Sequence, residues 1–432
     1  MSLHVAIDVH DRTLFAVGVD PATGEECFRR RFPHTPPGTA DLHGRLAPGD
    51  IAVLEATRGS QHLARHLETS GATILLLDPQ QCRLVGFRGK KTDYRDCRAL
   101  LSHLRSGYLP VVWRPDAPTR ERRQLARERQ AYNQTVTQLK NRMIALLREE
   151  GVLPPGAELW EAAGEAWLRG APVPAATRAV LLRSWTLLRA ALAVKELQTE
   201  SFHAQALADP RVWRLMQLPG FGPTASVTVL GELGELSRFA EGKQVASYAG
   251  LDPRIAQSGD VCHGGRISKS GRPLLRWAMV EVAWAHVLAD GPEAGLYHRL
   301  VARGKPKGVA ITALARHLLV LAWKLLTRGE NYQKLERWGY LRKLAILAAS
   351  RPAAERKAGG GTTDIAWARE RYRELTGEEP PAAAPPAAEK NAGSTSGAAA
   401  AGVPRPKRQT GVTARVRSQH QQAHRPRDAD PA

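Results

Sequence analysis

The first 77 residues alternate between short β-rich runs and turn or helix signals in an order that leaves few folds open. Residues 4–9 (His-Val-Ala-Ile-Asp-Val) and 13–19 (Thr-Leu-Phe-Ala-Val-Gly-Val) are rich in β-formers. The turn Pro21-Ala22-Thr23-Gly24 leads to a third such run near 26–32, so the three predict an antiparallel meander. Residues 51–55 (Ile-Ala-Val-Leu-Glu) and 72–77 (Ala-Thr-Ile-Leu-Leu-Leu) predict two further strands, separated by a helix over 60–69. A second helix starts in Lys90-Lys91-Thr92-Asp93-Tyr94-Arg95-Asp96 and runs on through Cys97, Ala99, Leu100, Leu101 and Leu104. Thr92 is its expected N-cap, with Asp93 and Asp96 in the first turn, where the helix dipole favours acids.

Three hairpin strands followed by strand, helix, strand and helix is the order of a ribonuclease H-like α/β domain. In that order the first strand is central, so Asp8 near its end lies beside Glu55 at the end of the fourth. The last helix packs across the same edge, and Asp93 and Asp96, three apart, project from one of its faces. Four acids then converge: Asp8, Glu55, Asp93 and Asp96. Alone, Asp93 and Asp96 read as ordinary first-turn acids; the two upstream carboxylates change that reading. Crowded carboxylates repel unless cations neutralise them. Oxygen donors select Mg²⁺ or Mn²⁺, and two such ions about 4 Å apart clamp the attacking and leaving oxygens of a phosphodiester. An actin-like ATPase or sugar kinase opens on a similar strand pair, but the second Gly-rich phosphate loop it wants near mid-chain is not convincingly present.

The rest of the chain points to nucleic acid. Its 432 residues suffice for two or three domains, and 62 Lys plus Arg against 42 Asp plus Glu give a net charge of +20. Such an excess fits a polyanionic partner, nucleic acid first and an anionic membrane surface second. No run of about 18 uninterrupted apolar residues occurs, so no membrane-spanning helix is expected, and the first residues enter strand-like sequence with no signal-peptide pattern. Four scattered cysteines (Cys27, Cys82, Cys97, Cys262) fit reduced thiols in a cytoplasm. His62 and His66 lack a nearby third ligand, so no zinc site is implied.

Over 119–149, Leu125, Tyr132, Val136, Leu139, Met143 and Leu146 recur at the spacing of a coiled-coil seam, with Arg120, Arg122, Arg123, Arg127, Arg129, Lys140, Arg142 and Arg148 on other faces. As a group they suggest a dimer helix that also touches phosphate. Helices follow across 158–169 and 175–206. At 215–233, Pro-Gly-Phe-Gly between helical segments looks like a helix-hairpin-helix whose glycines, Gly220 and Gly222, let backbone N–H groups approach phosphate. The block 248–272 is rich in Gly, Ser and Arg, and reads as a phosphate-gripping loop with Arg254, Arg266, Lys269 and Arg272. It offers three candidate nucleophiles, Ser258, Ser268 and Ser270, between which spacing does not choose. Helices near 295–303, 308–328 and 331–349 follow. After 351 the composition collapses; a short helix over 363–376 precedes a Pro-, Ala-, Gly- and Ser-rich stretch and a basic end that reads as a disordered tail.

Taken together, these blocks resemble the DEDD insertion-sequence transposases, the bridge-RNA-guided recombinases, over roughly three-quarters of the chain. The resemblance rests on Ala-Ile-Asp-Val-His (6–10), Leu-Glu-Ala-Thr (54–57), Lys-Thr-Asp-Tyr-Arg-Asp (91–96), Leu-Pro-Gly-Phe-Gly-Pro-Thr-Ala (218–225), Tyr-Ala-Gly-Leu-Asp-Pro (248–253), Ser-Gly (258–259) and Arg-Ile-Ser-Lys-Ser-Gly (266–271). It implies a RuvC-like domain over 1–113, a helical coiled-coil segment over 114–207, a mainly α transposase domain over 208–350 and a tail over 351–432. It also implies metal-binding, catalytic roles for Asp8, Glu55, Asp93 and Asp96, and the nucleophile's role for Ser258. Two departures stand out: Arg58-Gly59-Ser60 follows Glu-Ala-Thr where the family continues with Gly and an aromatic, and Cys97 stands where a small Ala is usual. The implied partners are DNA, a structured guide RNA and further copies of the chain in a dimer or tetramer, in a nucleoid-associated cytoplasmic setting, with no membrane. A metal-dependent resolvase or nuclease using water, and a non-catalytic nucleic-acid scaffold, are the alternatives.

Overall fold

The computed structural model describes residues 2–57, 59–85, 92–258, 261–351 and 364–382; Lys90, Lys91, Gly259 and the tail after 382 lie outside the described residues. The chain divides into two compact units, one of Met1–Gln124 with Thr228–Glu241 and one of Leu125–Val227 with Gly242–Ala432.

The first unit is built on one sheet of β1 (His4–Val9), β2 (Thr13–Val19), β3 (Glu26–Pro33), β4 (Ile51–Glu55) and β5 (Thr73–Leu77). The spatial order is β3-β2-β1-β4-β5. Tight turns join the first three strands, which pair antiparallel, whereas β1–β4 and β4–β5 are parallel because helical crossovers connect them. Side chains alternate across the sheet. Val5, Ile7, Leu14, Ala16, Ala52 and Leu54 pack with Leu42 of α1 (Pro36–His43) and Leu63 and Leu67 of α2 (Ser60–Glu68). Ala6, Val17, Val53 and Leu77 face the other way, against Cys97, Leu100 and Leu101. Those three lie on α4 (Asp93–Ser106), which follows α3 (Pro79–Val85). Helices α1 and α3 add to the order expected from sequence.

In the second unit, part of the apolar seam expected of a coiled coil is covered within the chain. Val136 and Met143 of α5 (Ala117–Glu149), with Tyr132, Leu139 and Leu146, pack against Leu181, Trp185 and Leu188 of α7 (Ala175–Leu207). The helix expected over 158–169 is instead a short 3₁₀ turn, Gly156–Trp160, followed by α6 (Gly164–Gly170); Gly164 lies against the Leu159 carbonyl, where a Cβ would not fit. The chain continues through α8 (Pro210–Met216), α9 (Pro223–Leu233), whose residues from Thr228 on belong to the first unit, and α10 (Gly242–Tyr248). The block expected as a loop is an antiparallel ribbon, β6 (Pro253–Ser258) with β7 (Val261–Ile267). Its two strands mix Ile255, Val261 and Ile267 with glycine and polar residues, so no apolar alternation marks them. Among the described residues the remaining helices are α11 (Pro273–Leu288), α12 (Ala294–Ala302), α13 (Lys307–Arg328), α14 (Arg337–Ala348) and α15 (Asp364–Thr376). Helix α14 starts six residues later than expected, at a cap where Glu336 accepts from Trp338 and Gly339 N–H groups. By length and composition α13 could cross a membrane, although the sequence promised no such helix. Its Ile311, Leu314, Leu318, Leu319 and Leu325 are buried, in contact with α8, α10, α11 and α12.

A buried polar network holds the turn between α8 and α9. His286 of α11, fully buried, donates from Nδ1 to the Pro219 carbonyl at 3.0 Å, and its Nε2 lies 3.3 Å from Glu293 Oε2. The Glu293 backbone N–H donates to that Nε2 at 3.2 Å, and Tyr332 and Lys334 donate to the Glu293 carboxylate at 2.6 and 3.3 Å. Burial alone would raise the Glu293 carboxyl, but these donors outweigh it and hold its pKa down at about 2. Lys343 Nζ donates to the carbonyls of Met216 and Leu218, both at 2.8 Å, satisfying the end of α8. Gly220 has φ +87°, and a Cβ there would meet the Val282 carbonyl oxygen at 2.5 Å; Gly222 has open space.

Two outcomes follow for this turn. Because the Glu293 pKa is lowered on folding, its contribution is fully present above the unfolded value and is lost as pH falls from about 4.5 towards about 2. Glu293→Gln should therefore remove about 3 kcal/mol of acid sensitivity over that window, as read by denaturant melts at stepped pH. Gly220→Ala should lower stability by about 1–3 kcal/mol and Gly222→Ala by well under about 1 kcal/mol, compared by thermal melting at neutral pH.

Candidate active site

Strand alternation places the four predicted acids. In β1, Ala6 faces α4, so Asp8 two residues on lies on the same face; in β4, Val53 faces α4, so Glu55 does too. Ile7 pairs with Leu54 in parallel register, which sets Asp8 and Glu55 side by side at the carboxyl ends of the central strands. Thr92 caps α4 as expected, its hydroxyl accepting from Arg95 N–H at 3.3 Å, and this fixes Asp93 and Asp96 in the first turn.

The cysteine departure lies at the centre of this packing. Cys97 is fully buried, its thiol donating to the carbonyls of Ala6 at 3.6 Å and Phe15 at 3.4 Å. Burial first, then the charges of Asp8, Asp96 and Asp93, push this thiol far above the ordinary range. Three of the acids are thus within electrostatic reach of one sulfur. The fourth marks its place on Cys82, pushed up to about 11 by burial first and then by Glu55 and Asp78. Both thiols are uncharged at neutral pH and unsuited to nucleophilic work.

Side chains that spacing did not single out complete the cluster. His10, in the turn after β1, places Nε2 3.1 Å from Asp8 Oδ2 and 3.4 Å from Asp93 Oδ1. Its backbone is held by Thr13 and by the His34 ring, each at His10 main-chain atoms. Asp8, His10 and Asp93 each offer a donor atom within 4.8 Å of the others, a grouping that could hold a metal ion. Two carboxylates this close favour a shared cation, and oxygen donors with one imidazole suit Mn²⁺ as well as Mg²⁺. Arg31 of β3 reaches the other oxygen of Asp93, Nη2 to Oδ2 at 2.5 Å. Asp78, just past β5, belongs to the same sheet edge, but its Oδ1 accepts from Gln80 N–H at 2.8 Å at the start of α3. Neither His10 nor Arg31 carries a periodicity signal; His10 is visible only as the last residue of Ala-Ile-Asp-Val-His.

In the second unit, Ser258 ends β6 and pairs with Val261 across the tip of the ribbon; its side chain lies outside the described residues. Ser268 is engaged elsewhere, donating to Asp252 Oδ1 at 2.6 Å. Ser270 is exposed. Arg254 is exposed and donates to the Ser268 carbonyl at 3.0 Å, while Arg266 and Lys269 are also exposed. Lys269 has φ +55°, and Gly250 and Gly271 let the Lys269–Gly271 segment pass close to residues 247–250. Arg272 sits at the start of α11, its N–H donating to the Tyr248 carbonyl.

Comparison with known proteins agrees across both units. Residues 5–151 match a transposase family model of the DEDD IS110 type, and residues 213–299 match the model described as Transposase IS116/IS110/IS902 family. The chain is 29% identical to the y4pF/y4sB protein of Sinorhizobium fredii, over 67% of this chain and 76% of that one. It is 26% identical to the transposase for insertion sequence element IS1111A of Coxiella burnetii, over 65% of this chain and 79% of that one. It is 24% identical to the transposase for insertion sequence element IS1328 of Yersinia enterocolitica, over 76% and 98%. With two family models matched in order along the chain, the protein belongs to the IS110 family of DEDD transposases.

Proposed function

We propose that the chain is a DNA recombinase that breaks and rejoins strands through a serine ester of phosphate, with divalent metal held by Asp8, Glu55, Asp93 and Asp96. The observation that carries this reading is the meeting of Asp8 and Asp93 at one imidazole on the edge where Glu55 ends its strand. The strand order β3-β2-β1-β4-β5, antiparallel then parallel, supports a ribonuclease H-like, RuvC-like frame for that cluster. Mg²⁺ or Mn²⁺ bound there would supply positive charge against the non-bridging oxygens of the scissile phosphate. The acids orient the phosphate through that charge, and the buried Cys97 keeps α4 seated on β1 and β2 so that the first-turn carboxylates hold their place.

Ser258 is the proposed nucleophile. Its Oγ attacks phosphorus, a new P–O bond forms, and the bond to the leaving deoxyribose oxygen breaks; the serine proton passes to a base and the leaving oxygen takes one up. Attack of a deoxyribose hydroxyl on the ester reverses these changes and joins the exchanged strand. Position at the tip of a two-stranded ribbon supports this role, since a tip can approach a backbone without burying the ribbon. Gly222, Arg254, Arg266, Lys269 and Arg272 are the proposed phosphate contacts beside it. Gly220 serves the packing of the turn. A structured guide RNA as the reader of target sequence fits the +20 charge. Association of copies through the α5–α7 pair is supported by Leu187 and Leu197, 61% and 63% exposed on α7.

A covalent-adduct trap tests this. The gene would be expressed with its native flanking DNA, the cells denatured rapidly, and protein-bound DNA mapped by mass spectrometry. DNA attached at Ser258, and lost in Ser258→Ala and Asp8→Ala, is the expected result. Metal-dependent cleavage with no adduct, unaffected by Ser258→Ala, would favour hydrolysis by water. No cleavage, and no response to chelation, would leave only a nucleic-acid scaffold.

A further inference from the structure

Edge strand β3 carries three consecutive arginines, and the structure uses each differently. Arg29 and Arg31 pair across from Val17 and Phe15 of β2, residues of the layer under α4, so both lie on the α4 face. Arg30 lies on the opposite face, 2.9 Å from Asp41. Arg29 is fixed: it donates to Glu26 at 2.8 and 3.1 Å and lies 4.0 Å over the Tyr94 ring, whose hydroxyl donates to the same carboxylate. Arg31 is held differently. Its side chain is 60% exposed and reaches Asp93 Oδ2, while Asp93 Oδ1 faces His10.

We infer that Arg31 is an exchangeable counter-ion of the acidic cluster, competing with a divalent cation for Asp93 and, once displaced, taking a non-bridging oxygen of the nucleic-acid phosphate. The inference rests on the reading of Asp8, Glu55, Asp93 and Asp96 as the metal-holding set. A guanidinium on Asp93 Oδ2 and a divalent ion on Oδ1 of the same carboxylate repel each other, so occupancy by one disfavours the other. Displaced from Asp93, the guanidinium remains at the open sheet edge beside the acids, where its planar fork matches a phosphate. Arg29, two residues along the same face and about 6.6 Å away, continues the positive track outward. Arg31 in this role binds the phosphate and presents it to the ion, and takes no part in bond exchange.

Mn²⁺ binding to the full-length protein, followed by the loss of free-ion signal in electron paramagnetic resonance, tests the exchange. Arg31→Ala and Arg31→Gln should bind Mn²⁺ about two- to fivefold more tightly than the parent chain, and Arg31→Lys should stay near it. Strand cleavage by Arg31→Ala should nevertheless fall about tenfold to a hundredfold and stay low at saturating Mn²⁺. A residue needed only for folding would weaken both readouts together. Unchanged or weaker Mn²⁺ binding in Arg31→Ala and Arg31→Gln, with binding abolished by Asp8→Ala, overturns the exchange and leaves the four-acid reading standing. Mn²⁺ binding indifferent to Asp8→Ala overturns both.

Discussion

Like charges placed side by side at the end of two parallel strands are the constraint on which the first unit depends. The β1–β4 register leaves Asp8 and Glu55 no freedom to separate, because a slip of one residue would turn Val5, Ile7, Ala52 and Leu54 out of the core. The chain answers locally, with the Arg31 guanidinium on Asp93 and the His10 imidazole within hydrogen-bond reach of Asp8, and it leaves both partly exposed. The hydrophobic layers thus enforce an electrostatic problem whose solution lies at the solvent edge. That is the arrangement expected where a site must accept and release charge without disturbing the core.

Helix α4 transmits the constraint. Its first turn carries two of the acids, its Thr92 cap sets where that turn begins, and Cys97 fastens it to carbonyls of two neighbouring strands. Alanine at this position would keep the close approach but lose both thiol contacts. The departure from the family pattern thus tightens the seating of α4.

How much of this was legible in the sequence depended on whether the determining contact was local. The five strands, the Thr92 cap and the pairing of Asp8 with Glu55 follow from periodicity, turn residues and the rules of strand order, and the structure agrees with them. Arg31 was not legible, because it lies 62 residues from Asp93 and meets it only through the register of an edge strand. His10 was hidden in a turn whose backbone folds it back over β1. The β6–β7 ribbon escaped for a different reason: its strands mix Ile255, Val261 and Ile267 with glycine and polar residues, which leaves no apolar alternation to read. On α5 the apolar spacing marks a stripe that packing covers in part, but spacing does not say whether what covers it belongs to the same chain.

Val136 and Met143 of α5 are buried in one cluster with Leu181, Trp185 and Leu188 of α7, so part of this stripe closes within one chain, a unimolecular step that dilution does not oppose. Tyr132, Leu139 and Leu146 are only partly buried, so the same helix keeps apolar surface to offer after that closure.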